Sequence, residues 1–189
     1  AAGFIAGADI EEFTHADTPE KAKALIRRGW DLYNRLAGVL YPTLALVQGH
    51  CMGGGLELAL ACRKIIVVDD PTTRLALPEV MLGIVPGWGG MLRLPLRVGP
   101  TAAFDMMLTG KAIDAKRAKR MGLADECVPP RVMENAARMA VVARGRRRPP
   151  PLFERLLAGP LKSVLVKKVT EMIARKARPE QMPAPYAIL

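Results

Sequence analysis

Residues 44–62 limit the possible folds of this chain more than any other stretch. They run Leu44-Ala45-Leu46-Val47, then Gly53-Gly54-Gly55, then Leu56-Glu57-Leu58-Ala59-Leu60-Ala61-Cys62. The first piece suits a short buried strand, which the glycines end. Leu56 to Cys62 continues as a helix with almost no polar face, and a helix that is apolar all round has to be buried. Ile65 to Val68 repeats the buried-strand pattern and is closed by Asp69-Asp70-Pro71. Strand and helix alternate here, which predicts an α/β architecture with parallel pairing.

The flanking segments extend that pattern. Residues 3–10 predict a strand end running into a loop. Pro19 to Leu40 predicts a helix, with Asp17 or Thr18 as its cap, Pro19 in its first turn and an apolar stripe of Leu25, Ile26, Leu32 and Leu36. Residues 75–78 predict a short extended piece, followed by a Gly/Pro-rich stretch from Gly83 to Gly90. Helices are expected at Thr101–Leu108, Asp114–Met121 and Arg131–Ala143, with a strand at Asp125 to Val128 between the last two. Gly145 to Pro151 has linker composition, and Lys162–Lys176 predicts an amphipathic helix. No internal repeat is visible.

A chain of 189 residues fits one domain, or most of one. No apolar run approaches the roughly 20 residues that a membrane span needs. The opening AAGFIAGADIEEF has no basic flank or long apolar core, which argues against a signal peptide, and without an initiator Met it suggests a trimmed chain. Cys51, Cys62 and Cys127 show no CxxC spacing and have only His15 and His50 for company, so no metal site is expected. Adjacent His50 and Cys51 would point to opposite faces of a strand, which argues against a Cys–His nucleophilic pair.

The net charge of +10 attracts polyanions. Much of it lies late, in Arg144 to Arg148 and Lys162 to Arg178. At 5% of residues, the aromatics are too few to interleave with these cations as a base-stacking surface, and nucleic acid is not the expected partner. A small phosphorylated ligand would use the same positive potential.

The chemistry concentrates around the glycines and two glutamates. Three glycines let a ligand approach the main chain closely. At a helix start the backbone N–H groups lack intrahelical partners and the dipole favours negative charge, an arrangement able to stabilise a developing oxyanion. Glu57 falls in the first turn of that helix. The same residues also suit a plainer role, a tight turn with Glu57 complementing the dipole. Glu79 follows Pro78 and precedes Val80-Met81-Leu82-Gly83. A carboxyl among apolar neighbours favours its protonated form, as a general acid requires, although a capping Glu is the alternative. No stretch satisfies GxGxxG or a P-loop.

Three segments taken in order resemble successive motifs of the enoyl-CoA hydratase/isomerase (crotonase) family. They are Ala6-Gly7-Ala8-Asp9-Ile10, Gly53-Gly54-Gly55-Leu56-Glu57-Leu58-Ala59, and Pro78-Glu79-Val80-Met81-Leu82-Gly83-Ile84-Val85-Pro86-Gly87. Leu108-Thr109-Gly110-Lys111, Ala115-Lys116-Arg117-Ala118 and Gly122-Leu123-Ala124-Asp125 resemble the family's next segment, so the likeness runs over about residues 3–130. It implies a crotonase-like ββα spiral, here lacking the strands that precede the Ala-Gly-Ala-Asp motif in the family. It further implies hydration of 2-trans-enoyl-CoA to 3-hydroxyacyl-CoA in fatty-acid β-oxidation, with Δ3–Δ2 isomerisation as a companion activity.

The implied site follows residue by residue. Glu57 and Glu79 match the two catalytic carboxylates, and the backbone N–H groups of Ala8 and Gly54 match the oxyanion hole. Ala8, Asp9, Ile10 and Gly54 match substrate and CoA contacts. Acyl-CoA is then substrate, and no cofactor is expected in this chain. The tail, Pro160-Leu161-Lys162 and Pro183 to Leu189, resembles the linker of multifunctional enzymes, in which an NAD-dependent 3-hydroxyacyl-CoA dehydrogenase domain follows. The implied organisation is a core at 1–143 and a basic linker and helix at 144–189. The resemblance also implies a homo-oligomer or a thiolase-containing complex. A bacterial cytoplasm and a mitochondrial matrix both suit it, and with no transit peptide visible the cytoplasm is expected. A non-catalytic acyl-CoA-binding fragment, or another chemistry on the same fold, is the alternative.

Overall fold

The computed structural model describes residues 3–7, 9, 11–12, 15–143 and 149–189. Its centre is the unit anticipated above, with one addition. Strand β2 (Leu44–Val47) does not run directly into the glycines. The chain bends at Gly49, which adopts φ +72°, and continues as a second strand, β3 (His50–Met52), in a different sheet. The bend is pinned by Thr73, whose hydroxyl accepts from the Gly49 N–H at 3.2 Å, and by the Arg74 N–H donating to the Gly49 carbonyl at 3.1 Å.

Helix α2 (Gly54–Ala61) follows, and β4 (Lys64–Val68) and β5 (Arg74–Ala76) then repeat the two-sheet step. One sheet has the order β1 (Gly3–Ile5), β3, β5, β6 (Ile113–Asp114). The other has the order β2, β4, β7 (Glu126–Val128). The expected parallel pairing holds throughout the second sheet and for β1–β3–β5, while β5 and β6 pair antiparallel. Two strands in two sheets followed by a helix, then two strands again, is the α/β ββα spiral that the motifs implied.

Burial explains why these segments fold as they do. Helix α2 buries every residue but Leu58, as its lack of a polar face required. In β4 the run Ile65 to Val68 is covered on both faces, the usual state of a parallel strand. The core gathers Val47, Leu56, Ile65, Val67, Leu75 and Leu94 between the sheets and helices. Cys51 is fully buried while His50 beside it is exposed, in line with strand alternation.

Helix α1 (Pro19–Gly38) is capped by Thr18, whose hydroxyl accepts from the Lys21 N–H at 3.2 Å. Its apolar stripe differs from expectation. Ile26 and Leu32 are 43% and 57% exposed. The side facing the molecule instead runs through Leu25, Gly29, Tyr33 and Leu36, because Gly29 leaves room for the indole of Trp88. Helix α3 (Gly90–Val98) was not expected at all, since the double glycine at its start and Pro95 within it hide the period of Met91, Leu94 and Val98.

Further along lie α4 (Pro100–Thr109), α5 (Ala115–Arg120) and α6 (Met133–Val142). They match the three anticipated helices, with a 3-10 turn at Pro130–Val132 beginning the last. Beyond them are α7 (Leu152–Ala158), α8 (Lys162–Ala174) and α9 (Ala184–Ala187). Ala184 and Ile188 reach the main core cluster, and Val169 and Ile173 of α8 are buried. The Arg144–Arg148 cluster and most of the linker composition at 145–151 lie outside the described residues.

Candidate active site

The three glycines at the α2 entrance are each required for a different reason. Gly53 adopts φ +53°, which a side chain would strain, and donates its N–H to the Ala76 carbonyl at 2.9 Å. A Cβ on Gly54 would stand 2.5 Å from the Trp88 ring, and one on Gly55 would overlap the Ile5 backbone of β1. The glycines therefore let a strand, an indole and a carboxylate converge on one helix terminus. The Gly54 N–H opens that helix, where an amide has no intrahelical acceptor.

Glu57, one turn in, is 2% exposed. Its Oε1 accepts two backbone hydrogen bonds, from Trp88 N–H at 2.8 Å and Gly90 N–H at 2.7 Å. Burial raises its pKa above the usual carboxylate value, while the Gly90 and Trp88 amides and the Arg93 charge pull it back. Glu79 opens a 3-10 turn (Glu79–Leu82) and is also buried. Its Oε2 has no hydrogen-bond partner among the described residues. Burial first, with the nearby charge of Glu57 adding to it, pushes this carboxyl up to about 7.

Each carboxylate lies against a glycine, and the charge of Glu57 reaches Glu79. A Cβ placed on Gly53 would lie 3.1 Å from Glu79 Oε1, and one on Gly90 would lie 3.0 Å from Glu57 Oε1. One group is thus gripped by two main-chain donors, while the other keeps one oxygen without a partner among the described residues, a division suited to a base and an acid.

Tyr33 closes the site from α1. Its hydroxyl donates to the Gly54 carbonyl at 3.1 Å, and its ring meets Trp88 edge-on at 5.7 Å. Burial, then the charge of Glu57, pushes its phenol up to about 12, so it remains a donor at neutral pH.

Of the other residues singled out from sequence, Ala8 and Ile10 lie outside the described residues. Their neighbour Gly7 is beside the site, its Cα 3.8 Å from where a Gly53 Cβ would be. Asp9 is exposed, and its Oδ1 accepts from the Glu11 N–H at 2.9 Å. Sequence reasoning missed Tyr33, Trp88, Gly90 and Arg93. The Trp-Gly-Gly run was the available signal, since paired glycines in a turn often present main-chain N–H groups. A cavity of about 450 Å³ opens next to Trp88, lined by Lys23, Ile26, Arg27, Trp30, Asp31 and Gly87, and contains neither glutamate. Among the described residues, no cluster of His, Cys, Asp or Glu could hold a metal, and no helix is long and apolar enough to cross a membrane.

Comparison with known proteins places the chain in a family and supports the fold. Residues 2–177 match the family described as Enoyl-CoA hydratase/isomerase. DspI of Pseudomonas aeruginosa superposes with a TM-score of 0.69 at 34% identity, over 75% of this chain and 53% of that one. An enoyl-CoA hydratase from Bacillus anthracis gives 0.66 at 32%, over 72% and 52%. A Geobacillus kaustophilus protein described as "Enoyl-CoA Hydrates Subunit I" gives 0.68 at 30%, over 100% and 67%. The chain thus spans about half the length of the first two. With the family's match running nearly end to end and the fold shared, this chain belongs to the enoyl-CoA hydratase/isomerase family, with a crotonase-like fold.

Proposed function

We propose that this chain carries the reacting centre of an enzyme that hydrates 2-trans-enoyl-CoA to 3-hydroxyacyl-CoA in fatty-acid β-oxidation. The observation that carries the reading is the unequal pair of buried carboxylates, Glu57 held by two amides and Glu79 with a free oxygen. Glu57, ionised, takes a proton from water as its oxygen bonds to C3 of the enoyl group. Glu79, protonated below about pH 7, gives its proton to C2. The negative charge that passes onto the thioester oxygen in between is met by the N–H groups of Gly54 and Ala8. Water is consumed, and the two carboxyls exchange one proton to reset. Glu79 and Glu57 moving a proton between C2 and C4, through a dienolate whose charge falls on the same thioester oxygen, would give Δ3–Δ2 isomerisation.

In this reading the CoA moiety runs past Ala8, Asp9 and Ile10. Residues 144–189 lead toward a 3-hydroxyacyl-CoA dehydrogenase domain, where NAD would act, within a multifunctional bacterial cytoplasmic enzyme. The protein assembles with copies of itself or with a thiolase. A second reading, acyl-CoA binding without turnover, is favoured by the chain's spanning about half the length of some relatives.

Following the loss of conjugated enoyl-thioester absorbance with crotonyl-CoA separates the two. Hydration predicts turnover that falls by about a hundredfold or more in Glu57→Gln and in Glu79→Gln. Binding of crotonyl-CoA with no turnover in the parent supports the second reading.

A further inference from the structure

Glu57 Oε1 takes its two hydrogen bonds from residues 88 and 90, so the carboxylate is only as well placed as the peptide joining them. That peptide is the Trp88–Gly89 unit, and its carbonyl is held separately. It accepts from Arg93 Nη1 at 2.9 Å. The guanidinium reaches it by folding back over Gly89, which adopts φ +109° and where a Cβ would collide with Nη1. The other end of the fork is anchored to α1. Nη2 donates to Asn34 Oδ1 at 2.5 Å, and the guanidinium carbon lies 5.8 Å from the centre of the Trp30 ring. A planar fork with two fixed partners holds a peptide more rigidly than a point charge would.

We propose that Arg93 is a positioning residue for Glu57, locking the Trp88–Gly89 peptide so that the two flanking N–H groups stay aimed at the carboxylate. Asn34 and Trp30 hold the lock in place. The role in catalysis rests on the reading of Glu57 as the base that activates water, while the effect on Glu57 itself does not. Three titratable groups surround that carboxylate: Glu79 from the 3-10 turn, Tyr33 from α1 and Arg93 from α3. Arg93 is the cation among them, so its charge and the two amides it aligns act in one direction, favouring the ionised form. The arrangement also ties helix α1, whose Ile26 and Leu32 face solvent, to a glycine-rich loop through a part-buried arginine.

The test compares the parent with Arg93→Met, Arg93→Lys and Asn34→Ala. The Glu57 carboxyl titration is followed by carbon NMR on glutamate-labelled protein and assigned with Glu57→Gln. The Trp88 amide is followed by nitrogen labelling of the two tryptophans. Arg93→Met keeps an apolar stem on Trp30 but removes the fork. It is expected to raise the Glu57 titration, shift the Trp88 amide and lower kcat for crotonyl-CoA about tenfold, with KM within about twofold of the parent. Arg93→Lys restores the charge without the fork and recovers part of the titration, while Asn34→Ala gives a smaller shift in the same direction.

A folded Arg93→Met whose Glu57 titration and Trp88 amide match the parent overturns the proposal. Should that variant fail to fold, Asn34→Ala decides, and an unmoved titration there overturns it equally. A parent without turnover would sink the hydration reading, yet the titration would still rule on Arg93.

Discussion

At the scale of single residues, Glu79 makes folding depend on pH in an unusual direction. A carboxyl pushed from 4.5 up to about 7 binds its proton more tightly in the folded chain than in the unfolded one. The contribution from keeping it neutral is complete below about pH 4.5, declines as pH rises toward 7, and is gone above that. The full excursion is worth about 3 kcal/mol at most. Glu57 is shifted in the same direction and adds to the decline. Urea midpoints for the parent should therefore fall between pH 5 and pH 8, and Glu79→Gln should flatten that slope and be the more stable of the two at pH 8. An equal slope in both proteins would mean that Glu79 is not held neutral by its surroundings. Gly54→Ala tests the opposite side of the site. The added methyl meets the Trp88 ring at 2.5 Å, and overpacking of this kind costs about 1–3 kcal/mol. Thermal unfolding should report that loss. The displaced indole should also disturb the Trp88 amide that holds Glu57.

Elements show why some of this molecule was legible in the sequence and some was not. Helix α2 announced itself because an unbroken apolar run has one destination, the interior, and its Leu56 is fully buried at the centre of the core. Leu56→Ala should accordingly cost about 2–5 kcal/mol by chemical denaturation, and a loss below about 1 kcal/mol would place that helix at the surface. Strand β4 was equally plain for the same reason. Strand β3 was not, because three residues between two glycine turns carry no period of their own. What makes them a strand is hydrogen bonding to β1 and β5, residues far away along the chain. The α1 stripe failed differently: periodicity finds a face but cannot know that a glycine, Gly29, will be the contact point for an indole 59 residues later. The two glutamates were visible through their motifs. The partners of Glu57, Trp88 and Gly90, act through main-chain N–H groups, for which the Trp-Gly-Gly run is only an indirect signal.

For the molecule as a whole, the last dozen residues bear on how far the folded unit extends. The family match ends at residue 177, whereas Ala184 and Ile188 stand among the buried residues of the main core. Tyr186 secures the turn between, its hydroxyl donating to the Ala177 carbonyl at 2.7 Å. An ordinary linker exposes its apolar residues or has few of them. This segment instead buries two against the same cluster that Leu56 and Leu94 occupy. Removing residues 179–189 would uncover that surface, and Ile188→Ala would leave a cavity costing about 2–4 kcal/mol. Both variants should lower the urea midpoint, the truncation more than the substitution, in one cooperative transition shared with the core. A midpoint unchanged by truncation would mean that the tail rests on the core without stabilising it. A second, separate transition in the parent would instead mark residues 144–189 as a unit that unfolds by itself.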